Sequence, residues 1–176
     1  MILSRDSNIL ILGVGNDILR DDGVGPVICR MLEEEFSSSR VRFDTINLGG
    51  LEVFEFIKEY SRVIIIDAIK TAKGKAGDVY YLTPSDFRET CHLSSFHDIS
   101  FLTALKFGQE IGYDMPEVEI IAIEIVEDME FGTEFSPELK SRFQDVYSEI
   151  RSFLLPVISI KNKAPGRESV YNNLSH

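Results

Sequence analysis

From Ile9 to Gly25 the chain reads ILILGVGNDILRDDGVG, an apolar strand that runs into a glycine turn and then into two adjacent carboxylates before a helix. Strand stability alone does not require such an ending. Gly13 and Gly15 permit backbone angles or close approaches that a Cβ obstructs. Asp22-Gly23 and Gly25-Pro26 punctuate the helix entry, with Pro26 tolerated in the first turn. The unit displays a carboxylate at the carboxyl edge of an expected parallel sheet, where open α/β folds place their ligands. Asp22 is therefore a stronger site candidate than an ordinary surface acid.

The rest of the chain repeats this alternation. Asn8 to Val14 reads as a buried first strand, and Val24, Val27, Ile28, Met31 and Leu32 recur at helical spacing after it. Val41 to Asn47 predicts a second strand, and Leu51, Phe54, Ile57 and Tyr60 mark a helix face. RVIIID, Arg62 to Asp67, is the clearest strand, rich in β-branched residues and closed by an acid. A short strand from Val79 to Leu82 follows Gly77-Asp78, and its short connection allows it to run antiparallel. Ile99, Leu102, Leu105 and Ile111 predict a helix, and Val118 to Ile125 another strand. Ser136-Pro137-Glu138 is a helix start, with a capping hydroxyl, a first-turn proline and an acid near the positive dipole end. Leu139, Phe143, Val146, Ile150 and Phe153 form its apolar stripe. The expected fold is a three-layer α/β/α sandwich around a mostly parallel, roughly five-stranded sheet. One domain spans residues 1–160, and residues 161–176 read as a flexible tail.

Composition narrows the function classes. With 29 acidic against 18 basic residues the formal charge is −11, so a fold-wide attraction to nucleic acid or anionic membranes is not expected. Lys70, Lys73 and Lys75 form a local basic run, most simply a solvated loop. Cys29 falls in a helical apolar pattern and reads as a buried thiol, while Cys91 follows Thr90 in a polar segment. They form no Cys-x-x-Cys pair, disulfide framework or thiolate zinc site. No apolar run reaches the length of a membrane span and no signal peptide opens the chain, so cytoplasmic residence is expected.

The carboxyl ends of parallel strands share one edge, so Asp22, Asp67 and His97 can converge there. Two carboxylates and an imidazole suit a borderline divalent ion with open positions, Ni²⁺ or Zn²⁺ more than Mg²⁺. Plainer readings stand beside this one. Asp21 or Asp22 can cap a helix, Asp67 can form a strand-end turn, and His97 can neighbour a capping Asp98. Ile18 stands where a dinucleotide fingerprint needs its third glycine, which counts against nucleotide binding.

At these residues the chain resembles a known family. GVGNDILRDDGVG is similar to the G-x-G-N-x-x-x-x-D-[DE]-G signature of hydrogenase maturation endopeptidases. The likeness continues in the family's order through NLGGLEVFEF, IIIDAI, SFHDISFLTAL and VEIIAIEIVEDMEFGTEFSPEL. Members remove a short C-terminal peptide from the large-subunit precursor of a [NiFe] hydrogenase after its metal centre is assembled. The resemblance implies that Asp22, Asp67 and His97 are the metal-binding and catalytic residues. It implies nickel contributed by the precursor rather than held permanently, and substrate contacts at Gly49 and Gly50. The Lys70 to Lys75 loop is also placed to help admit the extended segment. Asp22 stands where many relatives carry Glu, and Ser100 where they often carry glycine. Two alternatives remain: a non-catalytic assembly factor that binds the nickel-loaded precursor, and a small-molecule-binding α/β enzyme.

Overall fold

The computed structural model describes residues 8–36, 40–47, 51–86, 103, 105–126 and 129–159. In chain order they form β1 (Ile9–Val14), a 3-10 turn (Asp21–Gly23), α1 (Val24–Glu35), β2 (Val41–Ile46), α2 (Leu51–Ile57), β3 (Arg62–Ile69), β4 (Val79–Leu82), β5 (Glu117–Glu124) and α3 (Pro137–Ile158). A further helical stretch occupies 105–110. The strands make one sheet in the order β2-β1-β3-β5-β4. All neighbours are parallel except β4, which runs antiparallel to β5 with Val79 opposite Ile123 and Leu82 opposite Ile120. The mixed α/β architecture is the expected one.

β1 and β3 lie inside the sheet with a packed core on each face, which explains their continuous apolar sequences. Every residue from Val63 to Ile69 is buried. Ile11, Ile64, Ile66 and Ile121 face one core, shared with Ile28 and Leu32 of α1 and Leu139 and Ile150 of α3. Leu10, Leu12, Val63 and Ile65 face the other, against Val53, Phe54 and Ile57 of α2 and against Leu105. Fully burying one such side chain contributes about 1.5–3 kcal/mol, so both faces hold the sheet. β4 is the short, half-exposed edge.

Several boundaries move. Asp67 does not close β3: Ala68 and Ile69 continue it, opposite Ile123 and Glu124 of β5. Past the last rung with β1, Gly13 opposite Ile66, the Ala68 N–H donates to Asp67 Oδ1 at 2.8 Å. The carboxylate thus replaces a missing neighbour strand without turning the chain. Phe153 leaves the expected stripe on α3. At 3.6 residues per turn Leu154 follows Ile150 into the core, while Phe153 is 40% exposed and its ring stacks 4.3 Å from Tyr81 of β4. Tyr60 lies in the turn after α2, and Ile111 is exposed beyond residue 110. Residues 161–176, read as a tail, and Cys91 lie outside the described residues. Among the described residues, no helix is long and apolar enough to cross a membrane.

Cys29 is the buried thiol expected on α1. Its Sγ lies 3.2 Å from Asp44 O and 3.5 Å from Ile11 O, and burial pushes its pKa up to about 11. The thiolate is the reactive form, so an alkylating reagent at pH 7.5 should modify Cys29 only after unfolding, as read by peptide mass mapping. The raised pKa also stabilises the fold below the ordinary thiol value near 9, and that contribution is lost as pH rises towards about 11.

Candidate functional site

β1 brings the chain to the carboxyl end of the sheet. Gly15 then turns with φ 141°, and a Cβ there would stand 2.0 Å from the Asp22 carbonyl oxygen. The next residues loop back on themselves: Leu19 N–H donates to Asn16 O at 3.0 Å and Gly23 N–H to Leu19 O at 3.1 Å. The 3-10 turn Asp21–Gly23 follows. Within it, Asp22 Oδ2 accepts the Asn16 N–H at 2.7 Å. Gly25, in the first turn of α1, packs where a Cβ would meet Ile66 O at 2.3 Å and Val14 O at 2.5 Å. That close approach seats the turn carrying Asp22 on the end of β3, one residue before Asp67.

Asp67 and Asp22 therefore stand at the same end of the sheet, on different elements. Each is only 8% exposed. Both carboxylates are set into the surface, because the turn folds down onto the strand ends. His97, the third member of the expected trio, and Gly49 and Gly50, the expected substrate contacts, lie outside the described residues. Among the described residues, no three His, Cys, Asp or Glu side chains gather in a metal-binding group.

Neither acid is the N-cap of α1: that position is Gly23. Asp21 is fully buried and does a different job. Its Oδ1 accepts Ser136 N–H at 2.6 Å, and its Oδ2 accepts the Ser136 hydroxyl at 2.7 Å and Val126 N–H at 3.4 Å. Ser136 Oγ in turn accepts Leu139 N–H at 3.3 Å, the cap expected for α3. One carboxylate thus ties the turn bearing Asp22 to the residues after β5 and to the start of α3. Asp21→Ala should strand these buried donors at about 1–3 kcal/mol, measured by urea unfolding, whereas Asp21→Asn, which keeps an acceptor, should lose less.

Glu124 is a further buried acid at this end, 2% exposed. It shares the face of Asp67, because β5 places Ala122 opposite Asp67 and Glu124 opposite Ile69. Its Oε1 accepts Thr71 N–H at 2.6 Å and its Oε2 accepts the Thr71 hydroxyl at 3.0 Å. Nearby, the Tyr80 phenol is pushed above its usual pKa, first by burial and then by the Glu124 charge. Sequence reasoning missed the Asp21 and Glu124 anchors. The Asp-Asp pair and the Ser136 cap were both visible, but nothing local joins residues 115 positions apart. By contrast, a groove of about 920 Å³ beside β2, lined by Arg30, Glu33, Arg40, Arg42 and Tyr60 among others, includes neither Asp22 nor Asp67.

The chemistry available is that of two oriented carboxylates. They can offer oxygen donors to a cation, or one can take a proton from an attacking water.

Comparison with known proteins identifies the family. The family model described as hydrogenase maturation protease matches residues 28–152. It begins downstream of the Gly13 to Gly25 signature and spans the later motifs, from NLGGLEVFEF to VEIIAIEIVEDMEFGTEFSPEL. The hydrogenase maturating endopeptidase HybD from E. coli superposes with a TM-score of 0.70 at 21% identity, over 85% of this chain and 93% of that one. The [NiFe] hydrogenase maturation protease HybD from Thermococcus kodakarensis gives 0.61 at 25% identity, over 83% and 98%. A curated relative, the coenzyme F420 hydrogenase subunit delta of Methanothermobacter thermautotrophicus, is 34% identical over 71 residues. That match spans 37% of this chain and 45% of the relative, less than half its length.

Proposed function

The chain belongs to the hydrogenase maturation protease family, and on that premise we propose that it is a cytoplasmic endopeptidase that removes a short C-terminal peptide from a [NiFe] hydrogenase large-subunit precursor after nickel insertion. The observation that carries this reading is the seating of the family signature. The turn bearing Asp22 is pressed onto the end of β3 beside Asp67 by the Gly25 contact. Both carboxylates then face one end of the sheet, the place where an extended polypeptide carrying a metal can be met.

In this reading nickel is part of the substrate. Asp22, Asp67 and the imidazole of His97 are donors that a borderline divalent ion accepts. When bound, nickel would polarise the scissile carbonyl or lower the pKa of a water. The chain's own part is orientation. Asn16 N–H holds Asp22 through Oδ2, and Ala68 N–H holds Asp67 through Oδ1. A carboxylate aimed by a backbone amide meets its target with little reorganisation. Cleavage that waits for these donors to find nickel would act only on a loaded precursor.

A second reading is an assembly factor that binds the precursor without cutting it. The intact mass of the precursor separates the two. After incubation with this protein, the nickel-loaded precursor should lose a discrete C-terminal peptide and a matched nickel-free precursor should not. Unchanged mass of a loaded precursor that nevertheless binds would favour the assembly role.

A further inference from the structure

The loop between β3 and β4 carries Lys70, Lys73 and Lys75, all exposed, in a chain of net charge −11. It leaves β3 three residues after Asp67, at the same carboxyl end of the sheet. Most other described cations, and Lys70 itself, have interactions within the fold. Arg20, Arg30, Arg62, Lys106, Lys140 and Arg142 each hold an acidic partner within 4 Å. Lys73 has no ion-pair partner among the described residues. Lys75 has only the electrostatic reach of Asp78, whose carboxylate is already held by Arg142 at 2.9 Å and by the Lys75 N–H at 2.9 Å.

This loop is also anchored. The buried Glu124 grips Thr71 by its amide and its hydroxyl, and Gly74 N–H donates to Thr71 Oγ1 at 3.0 Å. Gly74 packs so tightly on Glu124 that a Cβ would stand 2.2 Å from its carboxyl carbon. Solvated lysines need no such anchoring. Holding like charges together in an ordered loop costs self-repulsion, which an incoming anion would relieve.

We propose that the loop of residues 70–75 is a docking site for an acidic segment of the polypeptide substrate, beside the two site carboxylates. The inference rests on the protease reading and adds to it a specificity element. A nucleic acid or an anionic bilayer is the poorer occupant, because its extended charge would lie against the surrounding acidic surface within a Debye length of about 8 Å and be repelled there. A short acidic stretch can reach the lysines without meeting that field.

The test compares the full-length wild type, the double variant Lys73→Gln/Lys75→Gln and the charge-matched control Lys106→Gln/Lys140→Gln. Cleavage of the nickel-loaded precursor is followed at low and at physiological ionic strength, with thermal unfolding to confirm equal stability. Loss of two exposed charge contacts predicts a KM raised about fivefold at low salt in the loop variant. Its kcat should be unchanged and the salt dependence of its KM flattened, while the control keeps wild-type values. Equal KM and equal salt dependence in wild type and loop variant would overturn the inference, as would an equal rise in the control. If wild type binds the precursor without cleaving it, the protease reading fails and dissociation constants from fluorescence anisotropy decide the docking question by the same criteria. If wild type neither cleaves nor binds, both fall.

Discussion

Asp67→Asn is expected to slow processing of the nickel-loaded precursor by at least about a hundredfold while leaving the thermal unfolding midpoint nearly unchanged, an effect of the size that loss of a general base or charged donor produces. The substitution keeps the shape and the Oδ1 acceptor that receives the Ala68 N–H at 2.8 Å, so the end of β3 should hold its course. What it removes is the negative charge. Asp22→Asn should behave alike, because an amide oxygen can still accept the Asn16 N–H that now lies 2.7 Å from Oδ2. His97→Ala extends the comparison to the third member of the proposed trio. Intact-mass assays give the rates, and circular dichroism on heating gives the fold. Wild-type processing by either Asp variant would mean that its carboxylate neither meets the metal nor takes the proton.

Gly25→Ala should do the opposite, damaging the fold first and the activity with it. The added Cβ would face Ile66 O at 2.3 Å and Val14 O at 2.5 Å, both backbone atoms of central strands. Neither can move without breaking sheet pairing, so α1 must lift instead. Helix α1 carries Ile28 and Leu32 into the core, and both are fully buried. Overpacking usually costs about 1–3 kcal/mol, and a clash with fixed backbone belongs at or above the upper end. Urea unfolding should therefore show a loss of about 3 kcal/mol or more. The surviving folded fraction should also process slowly, since Gly25 is what seats the turn of Asp22 on β3.

These two substitutions show which parts of the protein can be read from its sequence. Strands β1, β3 and β5 were legible because a strand covered on both faces must be apolar throughout, and few other elements are. Their bounds were less so. Asp67 reads as a terminator by type, but β5 continues beside it and its own carboxylate covers the Ala68 amide. Phe153 fits a stripe counted in threes and fours, and only the position of β4 draws it out to Tyr81. Within the site, the signature marked Asp22, while the neighbouring Asp21 stood out only as a candidate helix cap. Structure separates them: one sits at the end of β3, the other is consumed by Ser136 and Val126 across 115 and 105 positions. Glu124 stayed invisible because its partner Thr71 stands 53 residues away and an acid at a strand end looks unremarkable. Local chemistry identifies which residues can react, while long-range packing decides which of them are free of structural duty.

The most direct measurement is the nickel-edge X-ray absorption spectrum of the loaded precursor, alone and in complexes frozen before turnover. One complex uses the wild type and the other the double variant Asp22→Asn/Asp67→Asn. The spectrum of the precursor alone gives the reference shell. The account predicts that oxygen and nitrogen donors join that shell in the wild-type complex and that the oxygen contribution is lost with the double variant. A shell that stays the same in all three samples, with binding confirmed, would contradict the claim that these carboxylates read the precursor's nickel.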